Sequence, residues 1–335
     1  MNDLKFSICM PAYNGASVIE KTIHHILSQS FTNFELIIVD DNSKDNTLKV
    51  IAGIKDSRIR LISNKVNMGY PGNLERCRQE AAGDIIYLMG QDDILGKDAL
   101  LNTYNAFKFS DDIGAVTRPY FWFDKEIKNA VRAKSQYNKD KDTVISIQDG
   151  ERAVIEVFKT LDQLSGLAYR RKYMDLPFHE DIFPCHVYPF ASIFKKHKIV
   201  FLKDYNIAVR IDSSQTRSVS SIYEKSPILS WINMFETVFH EKEFQEIREK
   251  CINNFVMVNY VGLVQIRNYA EYKYLLREIF YLIRYRKQNL FSIQFWFFSL
   301  GTMLMPASLL IPLVDFYKNH INLKLLKDIK FDYGV

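Results

Sequence analysis

Gly83-Asp-Ile-Ile-Tyr-Leu-Met-Gly-Gln-Asp-Asp93 joins a strongly apolar run to two adjacent carboxylates, then turns into Ile94-Leu95-Gly96. A run this apolar suits a strand covered on both faces, with the acids at its carboxyl end. Three similar runs precede it: Phe6-Ser-Ile-Cys-Met10, Glu35-Leu-Ile-Ile-Val39 and Arg58-Ile-Arg-Leu-Ile62. Helical patterns lie between them. Ile19, Ile23, Ile26 and Leu27 recur at helical spacing behind Ser17-Val-Ile-Glu20, a capping-box pattern. Further helices are predicted over about 45–54, over about 72–82 with Gly83 as C-terminal stop, and over 97–108. This alternation predicts right-handed crossovers and an α/β, mostly parallel sheet flanked by helices.

Ligands of such sheets bind beyond the carboxyl ends of the strands. The unusual polar residues fall there: Pro11-Ala-Tyr-Asn14, Asp40-Asp-Asn-Ser43, the stretch 64–73 and Gln91-Asp-Asp93. Pro11 stiffens its loop, and Tyr13 can offer a flat ring to a base. Asp40-Asp41 reads either as a helix-capping cluster or as a carboxylate accepting from the N3–H of a pyrimidine. Asp92 and Asp93 repel one another unless a cation neutralises them. Oxygen ligands at such a tip suit Mg²⁺ or Mn²⁺ bridged to a diphosphate. Neither GxGxxG after the first strand nor GxxxxGK[ST] anywhere is present, which removes the fingerprints of dinucleotide hydride transfer and P-loop chemistry.

With 14% aromatics among 335 residues the chain can build a core, and a net charge of +5 does not call for nucleic acid. Four scattered cysteines form no CxxC pair, which fits a reduced compartment. The N-terminal segment lacks a secretory pattern, so the catalytic part is expected in the cytoplasm. From about 220 the character changes. Residues 267–287 carry six Lys/Arg against two Glu, and 290–317 hold a single charge, Asp315. That length would allow a bilayer span, but Pro306 and Pro312 interrupt it and cations flank both ends. A kinked segment lying in one leaflet, peripheral or monotopic, is the expectation for about 290–317. The boundaries follow: a domain over 1–220, divided into halves 1–120 and 121–220, and a helical, membrane-associating region over 221–335. The basic, Tyr-rich stretch 253–287 is where a homo-oligomer would pack.

Ser7-Ile-Cys-Met-Pro-Ala-Tyr-Asn14, Ile37-Ile-Val-Asp-Asp-Asn-Ser43, Asn67-Met-Gly69 and the stretch 83–93 resemble, in order and spacing, the motifs of family 2 glycosyltransferases. The resemblance implies a type-A nucleotide-sugar fold and inverting transfer assisted by a divalent cation, Mn²⁺ or Mg²⁺. Pro11, Tyr13 and Asp40 would hold the nucleoside, with Ala12, Asn14, Asn67, Gln91 and Asp92 alongside. Asp92 and Asp93 would sit at the metal and diphosphate. The family usually shows Asp-x-Asp-Asp, whereas Gly90 and Gln91 stand at the first two places, one carboxylate fewer.

Inversion needs a base for the acceptor hydroxyl. Candidates are His186, then Asp181, then Glu180, in Pro177-Phe-His-Glu-Asp-Ile-Phe-Pro-Cys-His186. Arg210 and Arg217 could clamp an acceptor diphosphate or sit in a salt-bridged loop. Gln215-Thr-Arg217 lacks the Trp of a processive QxxRW signature, which favours one sugar per encounter. The reading is a single-sugar transferase at the cytoplasmic face of the inner membrane. Its donor would be a nucleotide-diphosphate sugar, and its acceptor a lipid-linked, undecaprenyl-diphosphate-type saccharide of bacterial surface-glycan assembly. The alternative is a degenerate nucleotide- or glycan-binding scaffold of a membrane assembly complex.

Overall fold

The computed structural model describes residues 3–124, 126–128, 130–211, 220–320, 326 and 329–334, with 315 and 317–320 as backbone only. The chain divides into two compact units, Met1–Ile211 with Asp328–Val335, and Asp212–Lys327. The boundary expected at 220 thus falls at 211, and the segment beyond 327 belongs to the first unit rather than to an appendage.

The first unit is built from strands β1 (Phe6–Ala12), β2 (Phe34–Asp40), β3 (Ile59–Ser63), β4 (Ile85–Leu88), β5 (Ile94–Leu95) and β6 (Ile113–Thr117). It continues through β7 (Phe121–Phe123), β8 (Ala130–Ala133), β9 (Thr143–Ile145), β10 (Ala168–Arg170), β11 (Lys198–Phe201) and β12 (Ile207–Arg210). Helices α1 (Ile19–Leu27), α2 (Thr47–Gly53), α3 (Gly69–Glu80), α4 (Ala99–Phe107), α5 (Glu151–Phe158) and α6 (Val187–Lys196) lie between them.

The main sheet has the order β3-β2-β1-β4-β10-β6-β11-β9. Its first four strands are parallel, whereas β10 runs antiparallel to β4 and β6, and β9 antiparallel to β11, so the sheet is mixed. Ile8, Met10, Leu36, Ile38 and Tyr87 are buried with Ile19, Ile23 and Ile26 of α1. Each such side chain contributes about 1.5–3 kcal/mol by leaving water. β3 has only half-buried and exposed positions because it is the edge strand.

Two local expectations change. No side chain caps α1; the N–H groups of Val18 and Ile19 donate to the Gly15 carbonyl at 3.0 Å instead. Gly83 does not stop α3, which already ends at Glu80. It is a glycine because a Cβ there would meet the Lys5 carbonyl at 2.7 Å and the Ser7 nitrogen at 2.8 Å.

A small second sheet, β5-β12-β7-β8, carries Arg210. Its core of Ile94, Phe121, Phe123 and Ala208 is completed from far along the chain by Ile329, Phe331 and Tyr333. Phe331 packs edge-on to Phe121 at 5.0 Å, and the Lys97 N–H donates to the Asp332 carbonyl at 2.7 Å.

The second unit is helical: α7 (Pro227–Val238), α8 (Gln245–Val258), α9 (Gly262–Tyr269), α10 (Tyr272–Tyr285), α11 (Ile293–Leu304) and α12 (Ala307–His320). Trp231 stacks on Phe255 at 5.1 Å. The fully buried Glu278 accepts from Ser226 Oγ at 2.8 Å and Ile228 N–H at 3.2 Å, and pairs with Arg277 at 3.0 Å. Among the described residues no helix is long and apolar enough to cross a membrane. The apolar run 290–317 breaks at Met305-Pro306 into two helices of 12 and 14 residues. Helices that short extend about 18 and 21 Å, less than the roughly 30 Å of a bilayer core.

Candidate active site

The rim at the carboxyl ends of β1 and β2 is knitted by four bonds between loops. Asn14 N–H donates to Ser43 Oγ (2.9 Å), Lys44 N–H to Asn14 Oδ1 (2.8 Å), Gly15 N–H to Thr47 Oγ1 (2.8 Å) and Ala16 N–H to Asp45 (3.1 Å). Asn14 and Asn42 hold left-handed φ angles of 48° and 60°, a conformation Asn tolerates better than most residues. Pro11 and Ala12 belong to β1, opposite Val39 and Asp40, and Tyr13 is the first loop residue, half-buried. Gln91 clamps Tyr13: its Oε1 accepts from the Tyr13 N–H at 2.9 Å and its Nε2 donates to the Tyr13 carbonyl at 3.1 Å.

The two aspartates after β2 divide their work. Asp41 Oδ1 accepts from Asn64 Nδ2 at 2.9 Å and from Met68 N–H at 2.8 Å, fixing the 64–69 loop. Asn67 spends its amide in that loop, on the Asp41 carbonyl (3.1 Å) and the Gly69 N–H (3.0 Å). Asn73, buried on α3, reaches the Val39 carbonyl at 2.9 Å and accepts from Asn64 at 3.0 Å. Asp40 is fully buried; its Oδ2 accepts from Ser43 N–H at 3.1 Å, and its Oδ1 has no partner among the described residues. A buried carboxylate oxygen without a donor is costly unless a ligand supplies one.

The second acidic pair closes the site. Asp93 is buried; Oδ1 accepts from the Arg210 N–H at 2.9 Å and Oδ2 from Ser165 Oγ. Burial first, and the neighbouring Asp92 charge second, push its carboxyl up to about 8. A Cβ on Gly90 would stand 2.9 Å from Asp93 Oδ2 and 3.2 Å from Asp92 Oδ1, so both carboxylates converge on the place where the family's first acid would be rooted. The Arg210 guanidinium lies by the Asp92 carbonyl (Nε to O 3.4 Å), over the Phe123 ring at 4.9 Å. Among the described residues no group of three His, Cys, Asp or Glu could hold a metal. Two converging carboxylates still fit a hard divalent ion, because Mg²⁺ is commonly held by one or two carboxylates with substrate phosphates supplying the rest. Arg217 lies outside the described residues.

His186, expected first as the base, is placed in the interior. Helix α6 is buried from Val187 to Phe194, and His186 as its N-cap is carried inward with it. Its Nε2 lies 2.8 Å from the Leu161 carbonyl, so that nitrogen is the donor. Desolvation pushes the imidazole down to about 4. Asp181 is buried as well, at 9% exposure: its Oδ1 accepts a 3.3 Å bond from Phe183 N–H, and among the described residues no side chain donates to it. Glu180 is exposed. This loop abuts the nucleotide rim through Tyr70, whose hydroxyl meets the Cys185 thiol, and through Phe178 N–H, which donates to Glu75 at 3.0 Å.

Two groups here were not anticipated. Arg118, fully buried, donates to the carbonyls of Thr160 (3.1 Å), Gln163 (2.7 Å) and Ser165 (2.7 Å), and its guanidinium lies 4.8 Å over Tyr120. It thereby shapes the 160–165 loop, whose Ser165 holds Asp93. A lone arginine directly after the buried strand Ile113–Thr117 was the available signal; Ser165 offered none.

Strand order, rim loops and converging carboxylates define a type-A nucleotide-sugar transferase fold. The chain belongs to glycosyl transferase family 2, whose model matches residues 7–176. An Escherichia coli UDP-Glc:alpha-D-GlcNAc-diphosphoundecaprenol beta-1,3-glucosyltransferase, WfgD, is 37% identical over 94 residues, 28% of this chain and 37% of the relative. A Campylobacter jejuni GalNAc(5)-diNAcBac-PP-undecaprenol beta-1,3-glucosyltransferase is 33% identical over 99 residues, 29% of this chain and 32% of the relative. The chain thus matches about a third of the length of these relatives. Staphylococcus aureus TarS 1–349 in complex with UDP-GlcNAc aligns with a TM-score of 0.65 at 13% identity, over 99% of this chain and 98% of that one.

Proposed function

We propose that the protein transfers a single sugar, with inversion, from a nucleotide-diphosphate donor to a lipid-linked saccharide. The observation that carries this reading is the convergence of Asp92 and Asp93 on Gly90 beside Arg210, with the unpartnered Asp40 oxygen on the same rim. The relatives' action on undecaprenol-diphosphate saccharides supports the acceptor class.

In this reading the base of the nucleotide lies against Tyr13 and donates to Asp40 Oδ1, and the knitted 13–16 and 43–47 loops keep that slot open. Asn67 and Gln91 act by holding the rim, the first through the 64–69 loop and the second through the Tyr13 peptide. A carboxylate takes the acceptor hydroxyl proton as that oxygen attacks the anomeric carbon and the bond to the diphosphate breaks. Asp181 is the base, because His186 has spent its nitrogen on Leu161 and stays neutral. Arg210 neutralises charge on the diphosphate, donor or acceptor. A divalent cation held by Asp92 and Asp93 would supply Lewis-acid stabilisation of the departing nucleoside diphosphate.

The test is nucleotide release from UDP-, GDP-, dTDP- and CDP-sugars, with and without Mn²⁺ or Mg²⁺ and a synthetic lipid-diphosphate saccharide. Release from one donor, faster with acceptor and lost in Asp92→Asn, is the expected result. Silence across the panel with no nucleotide binding would defeat the proposal.

A further inference from the structure

Helix α11 is amphipathic in the wrong sense for water. Its inward positions are Phe295, Ser299 and Thr302, two of the three polar. Its outward ridge is Ile293, Phe297, Leu300 and Leu304, at i, i+4, i+7 and i+11, with Ile293 at 89%, Phe297 at 73% and Leu304 at 80% exposure. Phe291, 89% exposed, continues the ridge before the helix, and Leu309, Leu313 and Phe316 extend it along α12. A helix bathed in water turns its apolar stripe inward. The inner contact is nonetheless built: Phe295 packs on Tyr260 at 5.5 Å, while Thr302 Oγ1 folds back on the Phe298 carbonyl of its own helix at 2.7 Å. The exposed ridge is therefore the face left for something else to cover.

Charge identifies the occupant. Arg284 and Lys287 are exposed at the end of α10, directly before the ridge begins. Leu276 and Phe280 are exposed on the same helix, and Tyr272 Oη reaches the Met303 carbonyl of α11 at 3.2 Å. An apolar ridge rimmed by cations complements an anionic bilayer surface. A two-fold contact with a second copy would instead set this basic rim against itself.

We propose that the ridge Phe291–Phe316 is a docking surface for the anionic membrane interface, in which α11 and α12 lie in one leaflet with Arg284 and Lys287 at the headgroups. Side chains from these two helices enter the acyl boundary and no segment crosses it. The proposal stands apart from the sugar chemistry.

Flotation of the full chain tests it, with phosphatidylglycerol-containing vesicles against phosphatidylcholine alone. The wild type should rise with the anionic vesicles and less with the neutral ones. Phe297→Glu with Leu304→Glu should lower the bound fraction at least about tenfold, since each replaces a buried apolar contact with a charge in the acyl boundary. Arg284→Glu with Lys287→Glu should remove the preference for anionic lipid. Circular dichroism and Tm of both variants should match the wild type, because all four side chains face outward. Donor hydrolysis without vesicles should persist in both variants, which separates failure of this proposal from failure of the transferase reading. The proposal is overturned if the protein stays unbound with both vesicle types. It is equally overturned if light scattering shows a dimer that Phe297→Glu dissociates while flotation is unaffected.

Discussion

Asp40-Asp41 and Asp92-Asp93 are both adjacent carboxylates at the carboxyl rim of the main sheet, and the fold treats them differently. In the first pair the protein spends Asp41 on Asn64 and Met68 and leaves one oxygen of the fully buried Asp40 without a donor. In the second it saturates the buried member, Asp93, with Ser165 and the Arg210 N–H, and crowds its carboxylate against Asp92. Among the described residues the first pair therefore lacks a hydrogen-bond donor, which a nucleobase can provide. The second crowds two carboxylates together, an arrangement that a cation favours. His186 and Asp181, both buried, differ in a similar way: the imidazole is engaged with the Leu161 carbonyl, whereas among the described residues no side chain donates to the Asp181 carboxylate.

The largest effect should come from the crowded pair. Asp92→Asn and Asp93→Asn should each lower sugar transfer by about 10³-fold, measured as kcat/KM under saturating Mn²⁺, with Tm little changed. Asp93→Asn keeps an acceptor for the Arg210 N–H, so a collapse of Tm would make Asp93 a folding residue and break the comparison. Asp181→Asn should lower kcat by about 10²-fold or more while leaving donor affinity intact. An equal loss in Glu180→Gln, with Asp181→Asn active, would move the base one residue.

Asp40→Asn should weaken nucleotide binding by about tenfold to a hundredfold, read by calorimetry, without lowering Tm, because the buried charge is removed along with its ligand. A large fall in Tm would mean that the orphan oxygen has a structural partner.

The smallest effect on activity belongs to His186. Its folded value of about 4 lies below the usual 6.5, so the unfolded chain binds the extra proton first as pH falls. Stability from the neutral ring is complete above pH 6.5 and is lost as pH falls toward 4, on the order of 3 kcal/mol in all. His186→Gln should flatten that part of the stability curve in denaturant titrations and leave the pH–rate profile in place. A shifted rate profile would return His186 to the chemistry.

The rim was legible because its residues are out of place in an apolar run: an Asp, Asn or Gln after five buried positions marks a strand end. What those residues do with their atoms was not. Asp40 and Asp41 read alike as letters, and only the position of Asn64 and Met68 separates them. The burial of His186 was not legible either, because spacing locates a residue along the chain, while its exposure depends on the burial of α6 from Val187 to Phe194. The reversed strand β10 was hidden as well, since three residues, Ala168–Arg170, carry no period that distinguishes one direction from the other. Composition exposed the apolar run 290–317, but the orientation of its polar minority, Ser299 and Thr302 inward, is a property of packing.

The return of Ile329, Phe331 and Tyr333 to the small sheet sets an order of events during synthesis. Strands β5, β7 and β12 are made early, yet the rings that complete their core lie downstream of the whole of Asp212–Lys327. That contact closes a loop of more than a hundred residues, whose entropic cost grows only slowly with length but whose closure is slow in time. The nascent first unit must wait with Phe121 and Ile94 uncovered until the helical unit has emerged. The strand bearing Arg210 is thus completed only once residues 212–327 have been made, and a ribosome stalled before residue 328 leaves the small sheet unfinished.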